Sequence, residues 1–377
     1  MLAISAKAVI GAPSTLPLDE FLGDSHHLSS VDIMSIDHLP LVALARSTAG
    51  MTPEQTQVVL HHLMDGSVTP EHGAEILIAW SERGETGSEL AAVVDILLSK
   101  AVHVPIPGGM DLCGTGGSGL GRFNVSTTTA FILAAAGVPV VKHGNKGSKT
   151  PNGSFDLLEA LGVPFQLPVA QLVKLQAETG VCFLFARAVH PAVAAVAPAR
   201  KIASGRVKRT IFNLAGPLAN PCRPRKQLIG VTDERTAHIV AEAVKILGTE
   251  RVLIVRGHPG IDEVSITGPT HVWDVSGGHV HHVIIERIHQ HGLDHAHLPC
   301  GDAIANAAIF HRLLSGEERG PLLDMVCANA GAALDCWHGR KVLSDSVGFD
   351  QAKELIASGQ AKAAFVRHHT LAKQLAG

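Results

Sequence analysis

From residue 111 onward, short β-branched runs alternate with glycine-rich turns and with helical stretches rich in Ala and Leu. The runs that predict buried strands are residues 138–141, 182–185, 228–231 and 252–255. Residues 127–136 and 236–247 carry apolar side chains at helical spacing. Residues 264–290 predict a β-hairpin region, and residues 302–357 predict helices packed on the sheet. Because parallel strands need crossover connections, this alternation predicts an α/β domain with a mainly parallel central sheet.

The region before this alternation is helical. Thr52 predicts a helix start as the N-cap, with proline in the first turn and Gln55 at the capping-box position. Thr69 followed by proline repeats the start signal, and Ser88 opens a third helix. These signals predict a small bundle of short helices over residues 41–100.

A chain of 377 residues is long for one domain and short for three. We predict an N-terminal extension over residues 1–40, a small helical domain over residues 41–105 and a larger α/β domain over residues 106–377. A later helical segment near residues 190–220 is expected to join the helical domain.

Composition and charge argue against several classes of partner. The formal net charge is −3, aromatic residues make up 4% and Tyr is absent, so neither a basic surface nor stacking platforms for nucleic-acid bases are indicated. The six cysteines form no C-x-x-C pair, which is typical of reduced thiols in a cytoplasmic protein. No signal pattern and no membrane-spanning apolar stretch is present. We therefore expect a cytoplasmic protein that binds neither membrane nor nucleic acid.

A glycine-rich segment precedes the first predicted helix of the α/β domain. Residues 111–117 read Asp-Leu-Cys-Gly-Thr-Gly-Gly, and Asn-Val-Ser-Thr follows at residues 124–127. Glycines let backbone N–H groups approach an anion, and a helix N-terminus favours negative charge. The hydroxyls of Thr115, Ser126 and Thr127 can donate to phosphate oxygens. Taken alone, the pattern leaves phosphate binding and an ordinary tight turn both open.

Two further segments carry cationic side chains. The run Lys-His-Gly-Asn at residues 142–145 leads from a predicted strand into a glycine-rich loop. It suits a phosphate or sugar phosphate, and it equally suits a solvated basic loop. Farther along, His190 precedes a stretch that carries Arg200. A single arginine could hold a carboxylate through two hydrogen bonds, although a surface helix end gives the same pattern.

The last of these segments is an acidic turn. Asp262 and Glu263 follow an apolar strand inside a glycine-rich stretch. Adjacent carboxylates can both point at a hard cation, and Mg²⁺ prefers oxygen ligands together with substrate phosphates. A plain charged turn is the alternative, because Asp-Glu pairs are common.

In their order along the chain, these motifs resemble those of the anthranilate phosphoribosyltransferase family. The most specific match is Arg-Thr-Ile-Phe-Asn-x-x-Gly-Pro-Leu-x-Asn-Pro at residues 209–221. The resemblance runs from about residue 45 to about residue 365. It implies a fold of the nucleoside phosphorylase/phosphoribosyltransferase type, Mg²⁺ as cofactor and a homodimer formed through the N-terminal helices.

The resemblance also implies a reaction of tryptophan biosynthesis, in which 5-phosphoribosyl 1-diphosphate gives its phosphoribosyl group to the amine of anthranilate and diphosphate leaves. The donor would be bound by Gly114, Thr115, Gly116, Gly117, Asn124, Ser126, Thr127 and Lys142. The acceptor would face His143, Asn145, His190 and Arg200, with Arg200 on its carboxylate. Mg²⁺ would be held by Ser126, Asp262 and Glu263, directly or through water. No residue is assigned as general acid or base, because an aryl amine is already neutral at physiological pH.

Several positions depart from the family's pattern. Ser118 follows the double glycine where family members usually carry Asp, and Lys146 stands where they usually carry Arg. The loop over residues 146–152 contains Pro151, whose ring fixes the backbone φ angle. These changes leave open a related phosphoribosyltransferase with a different aromatic acceptor, and an inactive paralogue that binds nucleic acid.

A histidine-rich stretch lies between the predicted hairpin and the C-terminal helices. Its members are His279, His281, His282, His289, His291, His295 and His297. No carboxylate or cysteine spacing in the sequence completes a recognisable zinc site. We predict a solvated loop there rather than a metal centre.

Overall fold

The computed structural model describes residues 37–121, 123–147, 151–286 and 294–377. Most of the predicted extension over residues 1–40 lies outside the described residues. So do positions 148–150 of the loop that departs from the family's pattern, and His289 and His291 of the histidine-rich stretch.

A seven-stranded sheet lies at the centre of the described structure. Its strands are β1 (Met110–Gly114), β2 (Val140–Gly144), β3 (Val181–Phe185), β4 (Lys226–Gly230), β5 (Arg251–Gly257), β6 (Thr270–Ser276) and β7 (His279–Ile285). Their order across the sheet is β3-β2-β1-β4-β5-β6-β7. The first five strands pair in parallel, and β6 and β7 add an antiparallel hairpin at one edge. The prediction of a mainly parallel sheet is therefore confirmed.

Helices precede the sheet, connect its strands and follow it. They are α1 (Leu39–Arg46), α2 (Pro53–Met64), α3 (Pro70–Arg83), α4 (Gly87–Ser99), α5 (Val125–Ala135), α6 (Ser154–Ala160), α7 (Val169–Thr179), α8 (Ala186–Val189), α9 (Ala197–Ala203), α10 (Ile211–Ala215), α11 (Glu234–Leu247), α12 (Ala303–Leu314), α13 (Pro321–His338), α14 (Val347–Ala357) and α15 (Gln360–Ala376). None of the helices in the described part of the chain is long and apolar enough to cross a bilayer.

Side-chain caps set the starts of the first helices. Oγ1 of Thr52 accepts a hydrogen bond from the backbone N–H of Gln55 at 3.2 Å, and Gln55 Oε1 accepts from Thr52 N at 3.0 Å. The predicted capping box is thus present. Helix α4 begins at Gly87, one residue before the predicted start at Ser88, because Thr86 and Glu89 form a second capping box.

Strand β5 has an apolar core on each face. Leu253 and Val255 belong to the core that contains α5, α13 and α15, whereas Val252 and Ile254 belong to the core that contains the N-terminal helices. This division follows from the two-residue period of a strand. Helices α9 and α10 pack against α3 and α4 within the second core. Both faces of the sheet are therefore covered, as parallel strands require.

The loops that follow the parallel strands meet at one edge of the sheet, where ligand sites of open α/β sheets form. Strand β2 continues to Gly144, beyond the predicted end at residue 141, so Lys142 and His143 lie within the strand. Strand β1 was not among the predicted strands, because its short run contains a carboxylate and ends in the glycine-rich turn. The ends of β1, β2 and β5 and the loops after them carry three of the four polar segments singled out in the sequence.

Candidate active site

The acidic turn after β5 lies over two glycines that end neighbouring strands. Gly114 of β1 and Gly230 of β4 are register partners. A Cβ atom on Gly114 would lie 2.5 Å from Oδ2 of Asp262, and one on Gly230 would lie 1.7 Å from the Asp262 carbonyl oxygen. Oδ2 of Asp262 accepts a hydrogen bond from Gly116 N at 3.1 Å. The absence of side chains at these two glycines lets the Asp262 carboxylate reach the loop after β1.

Asn329 of α13 holds the residues that follow the acidic pair. Its Oδ1 accepts a hydrogen bond from Val264 N at 2.9 Å, and its Nδ2 donates to Val264 O at 3.0 Å. The same Nδ2 donates to Met325 O at 2.9 Å. Asn329 is 3% exposed, so water does not compete for these bonds. Asn329 was not among the predicted site residues.

Helix α5 begins after the glycine-rich loop without a side-chain cap. Asn124 occupies the N-cap position, but its side chain makes no hydrogen bond to the first turn. Ser126 and Thr127 lie in that turn, and Thr127 Oγ1 is buried with no hydrogen-bond partner among the described residues. An uncapped N-terminus offers backbone N–H donors and a partial positive charge. The arrangement suits an anion.

The Asn124 amide instead joins two asparagines from distant parts of the chain. Nδ2 of Asn306 donates to Asn124 Oδ1 at 3.1 Å and to Asn152 Oδ1 at 2.7 Å. Nδ2 of Asn124 donates to the Asn152 carbonyl oxygen at 3.2 Å. Neither Asn152 nor Asn306 was among the predicted site residues, because the link from Asn306 to Asn124 spans 182 positions and no local pattern records it.

Asp156 fixes the base of the loop after β2. One carboxylate oxygen, Oδ2, accepts from Gly147 N at 2.7 Å and from Gly153 N at 2.8 Å. A Cβ atom on Gly153 would lie 2.5 Å from Asn145 O and from Gly147 N, so the two ends of the loop meet closely. Lys146 pairs with Glu159 at 2.8 Å. Lys146, which stands where family members usually carry Arg, is therefore held in an ion pair at the base of the loop.

Below these loops, Asp111 and Lys142 form part of a buried polar group. Lys142 Nζ donates to the Leu112 carbonyl oxygen. The Asp111 carboxylate accepts from His143 N at 3.1 Å and from Asn220 Nδ2 at 2.9 Å. Burial raises the pKa of Asp111 to about 6 and lowers the pKa of Lys142. In this structure Lys142 links β2 to β1. Its predicted contact with the phosphoribosyl donor stays a prediction.

Two histidines predicted to face the acceptor lie against each other. The rings of His143 and His190 meet edge to face with centroids 5.2 Å apart. His143 Nδ1 is 3.1 Å from Gly216 O, and His190 Nε2 is 2.6 Å from Ala219 O. Because a carbonyl oxygen only accepts hydrogen bonds, these two ring nitrogens carry the protons. Burial lowers the pKa of His143 to about 3 and also lowers the pKa of His190, so both rings are neutral at physiological pH.

The proton on Nδ1 leaves Nε2 of His143 as a bare acceptor. That atom is buried and has no hydrogen-bond partner within the described residues. An unsatisfied buried acceptor costs about 1–3 kcal/mol. A ligand N–H group placed here would remove that cost.

Arg200 lies in α9, where its guanidinium is stacked over the ring of Phe212 at 5.3 Å from the centroid. Burial lowers the pKa of Arg200. Across the described ranges no ion pair joins this guanidinium to a carboxylate of the chain. A partly buried guanidinium without an anionic partner suits the carboxylate of a ligand.

The donor set of the acidic turn fits Mg²⁺. Asp262 and Glu263 could supply hard oxygen ligands, and the two glycines under Asp262 form a cradle that any side chain would fill. The contribution of the Ser126 hydroxyl, which lies in the first turn of α5, stays a prediction. Within the described residues no three or more His, Cys, Asp or Glu side chains form a ready-made metal site.

Comparison with family models divides the matched chain into two parts. The α/β domain of a glycosyl transferase family matches residues 107–362, and the helical bundle domain of such a family matches residues 41–101.

Individual relatives are similar over most of the chain. The anthranilate phosphoribosyltransferase of Rubrobacter xylanophilus is 40% identical over 342 residues, which cover 89% of this chain and 98% of the relative. That of Roseiflexus castenholzii is 39% identical over 321 residues, covering 84% and 93%. Among solved structures, the anthranilate phosphoribosyltransferase of Thermus thermophilus is 36% identical with a TM-score of 0.78, covering 88% of this chain and 99% of that one. The Saccharomyces cerevisiae enzyme in complex with PRPP and Mg, 24% identical over 90% of this chain and 99% of the yeast chain, shares the fold with a TM-score of 0.78.

Proposed function

This chain belongs to the anthranilate phosphoribosyltransferase family of glycosyltransferases, and we propose that it transfers the phosphoribosyl group of 5-phosphoribosyl 1-diphosphate to the amine of anthranilate. The observation that carries the proposal is the contact of the Asp262 carboxylate with Gly116 N, in the loop that leads to the uncapped start of α5. It brings a magnesium-type ligand and an anion-binding helix end to the same loop.

In the proposed reaction, the bond between C1 of the ribose and the diphosphate oxygen breaks and a bond from the amine nitrogen to C1 forms. Diphosphate leaves with the electron pair of the broken bond, and the nitrogen loses one proton to solvent. Because the bond to diphosphate breaks early, negative charge develops on the leaving group. The backbone N–H of Gly117 and the uncapped start of α5 would stabilise that charge.

Mg²⁺ would be held by Asp262, Glu263 and Ser126, directly or through water. Bound there, it would neutralise part of the diphosphate charge. The two glycines beneath Asp262 support this assignment, because they give the carboxylate its access to the loop after β1.

On the acceptor side, Arg200 would hold the anthranilate carboxylate and the bare Nε2 of His143 would accept a hydrogen bond from the amine. Orientation of the amine by a neutral imidazole is compatible with the pKa of His143 being about 3. His190 would support the His143 ring through their edge-to-face contact. Asn145 would complete the acceptor site.

The first test follows the fluorescence of anthranilate with 5-phosphoribosyl 1-diphosphate and Mg²⁺, in the wild type and in Asp262→Asn/Glu263→Gln. Magnesium-dependent loss of anthranilate that disappears in the double variant is the expected result. Consumption of another aminobenzoate but not of anthranilate would establish the alternative acceptor. A chain that turns over none of them but binds DNA in a salt-sensitive way would be the non-enzymatic paralogue.

We also propose that the protein is a cytoplasmic homodimer. The cysteines at 113, 182, 222, 300, 327 and 336 are all free thiols, which supports a reducing compartment. The dimer through the N-terminal helices is inferred from the family resemblance. Light scattering of the purified protein would give a mass near twice 39.5 kDa; a monomer mass would refute it.

A further inference from the structure

Asn306 occupies a buried position in the first turn of α12 and uses its whole amide within the protein. It is 0% exposed. Its Nδ2 donates to both Asn124 and Asn152, and its Oδ1 accepts from Gly301 N at 3.0 Å. An amide has two N–H donors. Asn306 therefore places both of them on residues of two other segments, the start of α5 and the loop before α6.

The bond to Asn124 has a consequence for α5. Asparagine is one of the most favourable N-cap residues, because its side-chain oxygen normally accepts from the N–H groups of the first turn. Here the Asn124 Oδ1 accepts from Asn306, and no side-chain bond reaches the first turn. The backbone donors that Asn124 would otherwise occupy are kept for another acceptor.

We propose that Asn306 is a positioning residue for the donor site: it keeps the Asn124 side chain from capping α5 and fixes Asn152 beside it. This inference rests on the proposed function, since the acceptor for which the helix start is kept is the diphosphate of the donor. The energetic benefit of this positioning is preorganisation. Backbone N–H groups that are already oriented in the free protein need no rearrangement when the diphosphate binds.

The loop base does not depend on Asn306. Asp156 ties Gly147 N to Gly153 N through its own carboxylate oxygen. Loss of Asn306 is therefore expected to release Asn124 and Asn152 while the start of α6 keeps its bonds. This separates a positioning effect on the donor site from a general loss of the loop.

The test compares Asn306→Ala with Ile309→Ala, which removes an apolar side chain of similar burial from the same helix. Donor affinity is measured by calorimetry with Mg²⁺ and without acceptor, and KM values are measured for both substrates. We expect Asn306→Ala to weaken donor binding roughly ten-fold, as loss of about one net hydrogen bond predicts. The KM of anthranilate at saturating donor should not change. Ile309→Ala should lower Tm and leave donor affinity as it is.

A double variant tests the route through Asn124. In an Asn124→Ala background, Asn306→Ala is expected to weaken donor binding by at most about three-fold, because the side chain it positions is gone. Asn306→Ser keeps one hydroxyl donor and is expected between wild type and alanine; it also serves if the alanine variant does not fold.

Wild-type donor affinity in the Asn306 variants, an equal loss in Ile309→Ala, or a full ten-fold loss in the Asn124→Ala background would each overturn the inference. Wild-type protein without magnesium-dependent donor binding would overturn the proposed function and this inference together.

Discussion

Gly230 and Asp262 are in a contact that only glycine permits, since a Cβ atom at position 230 would lie 1.7 Å from the Asp262 carbonyl oxygen. The strand end and the acidic turn therefore approach backbone to backbone.

We predict that Gly230→Ala displaces the acidic turn and lowers magnesium-dependent turnover about a hundred-fold, because a displacement of about 1 Å at a reacting site has an effect of this size. Steady-state rates at saturating substrates measure it. The matched control is Gly205→Ala, whose added Cβ would lie 3.4 Å from the nearest atom, an ordinary contact. Equal rates in the two variants would show that the contact is unimportant.

A second prediction concerns Asn329, which holds Val264 by two hydrogen bonds. Asn329→Ala should raise the Mg²⁺ concentration for half-maximal activity roughly ten-fold, because groups that orient metal ligands typically have effects of this size. Magnesium titrations of initial rates give the value. Cys327→Ala, a buried change in the same helix, should leave the titration unchanged. An identical midpoint in Asn329→Ala would contradict the positioning of the acidic turn by this residue.

A third prediction concerns Arg200. Arg200→Gln should raise the KM of anthranilate by about ten- to a hundred-fold, the range expected for a lost charge-assisted hydrogen bond. The KM of the donor should stay constant. Lys201→Gln, an exposed neighbour, is the control. If Arg200 recognises the carboxylate, the uncharged analogue anthranilamide should bind wild type and Arg200→Gln with equal affinity. Equal losses of affinity for anthranilate and anthranilamide in Arg200→Gln would disprove this role of Arg200.

A fourth prediction concerns stability against pH. His368 is 1% exposed, lies edge-on to Phe131 and Phe183, and has its pKa lowered by burial to about 4. An unfolded histidine has a pKa of about 6.5. Between these values the unfolded chain takes up a proton that the folded chain does not, so stability falls as pH falls through this window.

His368→Leu should remove this dependence while it preserves the packing. Thr179 Oγ1, which contacts His368, keeps its bonds to Leu175 O at 2.6 Å and Val181 O at 3.1 Å. The loss in free energy of unfolding from pH 7.5 to pH 5 should be smaller than in wild type by roughly 2 kcal/mol. Denaturant unfolding at both pH values measures it, with the exposed His61→Gln as control. Parallel losses in wild type and His368→Leu would refute the assignment.

Features encoded over a few residues were predictable from the sequence. The Thr52–Gln55 cap is an example, because both of its hydrogen bonds join residues three positions apart. The alternation of strand and helix gave the sheet for a similar reason: each element is specified by its own periodicity. The family resemblance then led to Asp262, which the structure joins to Gly116, and to the His143–His190 pair.

Features that depend on register or on distant contacts were not predictable. Position 230 must be glycine because β4 pairs there with Gly114 of β1 and because the acidic turn at Asp262 lies over both residues. Asn306 looks like an ordinary polar residue near a helix start until α12 is placed beside α5. The boundary of α4 was missed by one residue because Thr86, not Ser88, has a glutamate three positions ahead.

The alternation along β5 also bears on how the chain can be divided. One core holds side chains of both the N-terminal helices and the sheet: Val59 and Leu90 from the former, Val252 and Ile254 from the latter. A fragment that lacked the residues before about 105 would expose an apolar face of the sheet to water. Such a surface is prone to self-association. The two segments that family models recognise separately therefore share one apolar core, which each would leave exposed without the other.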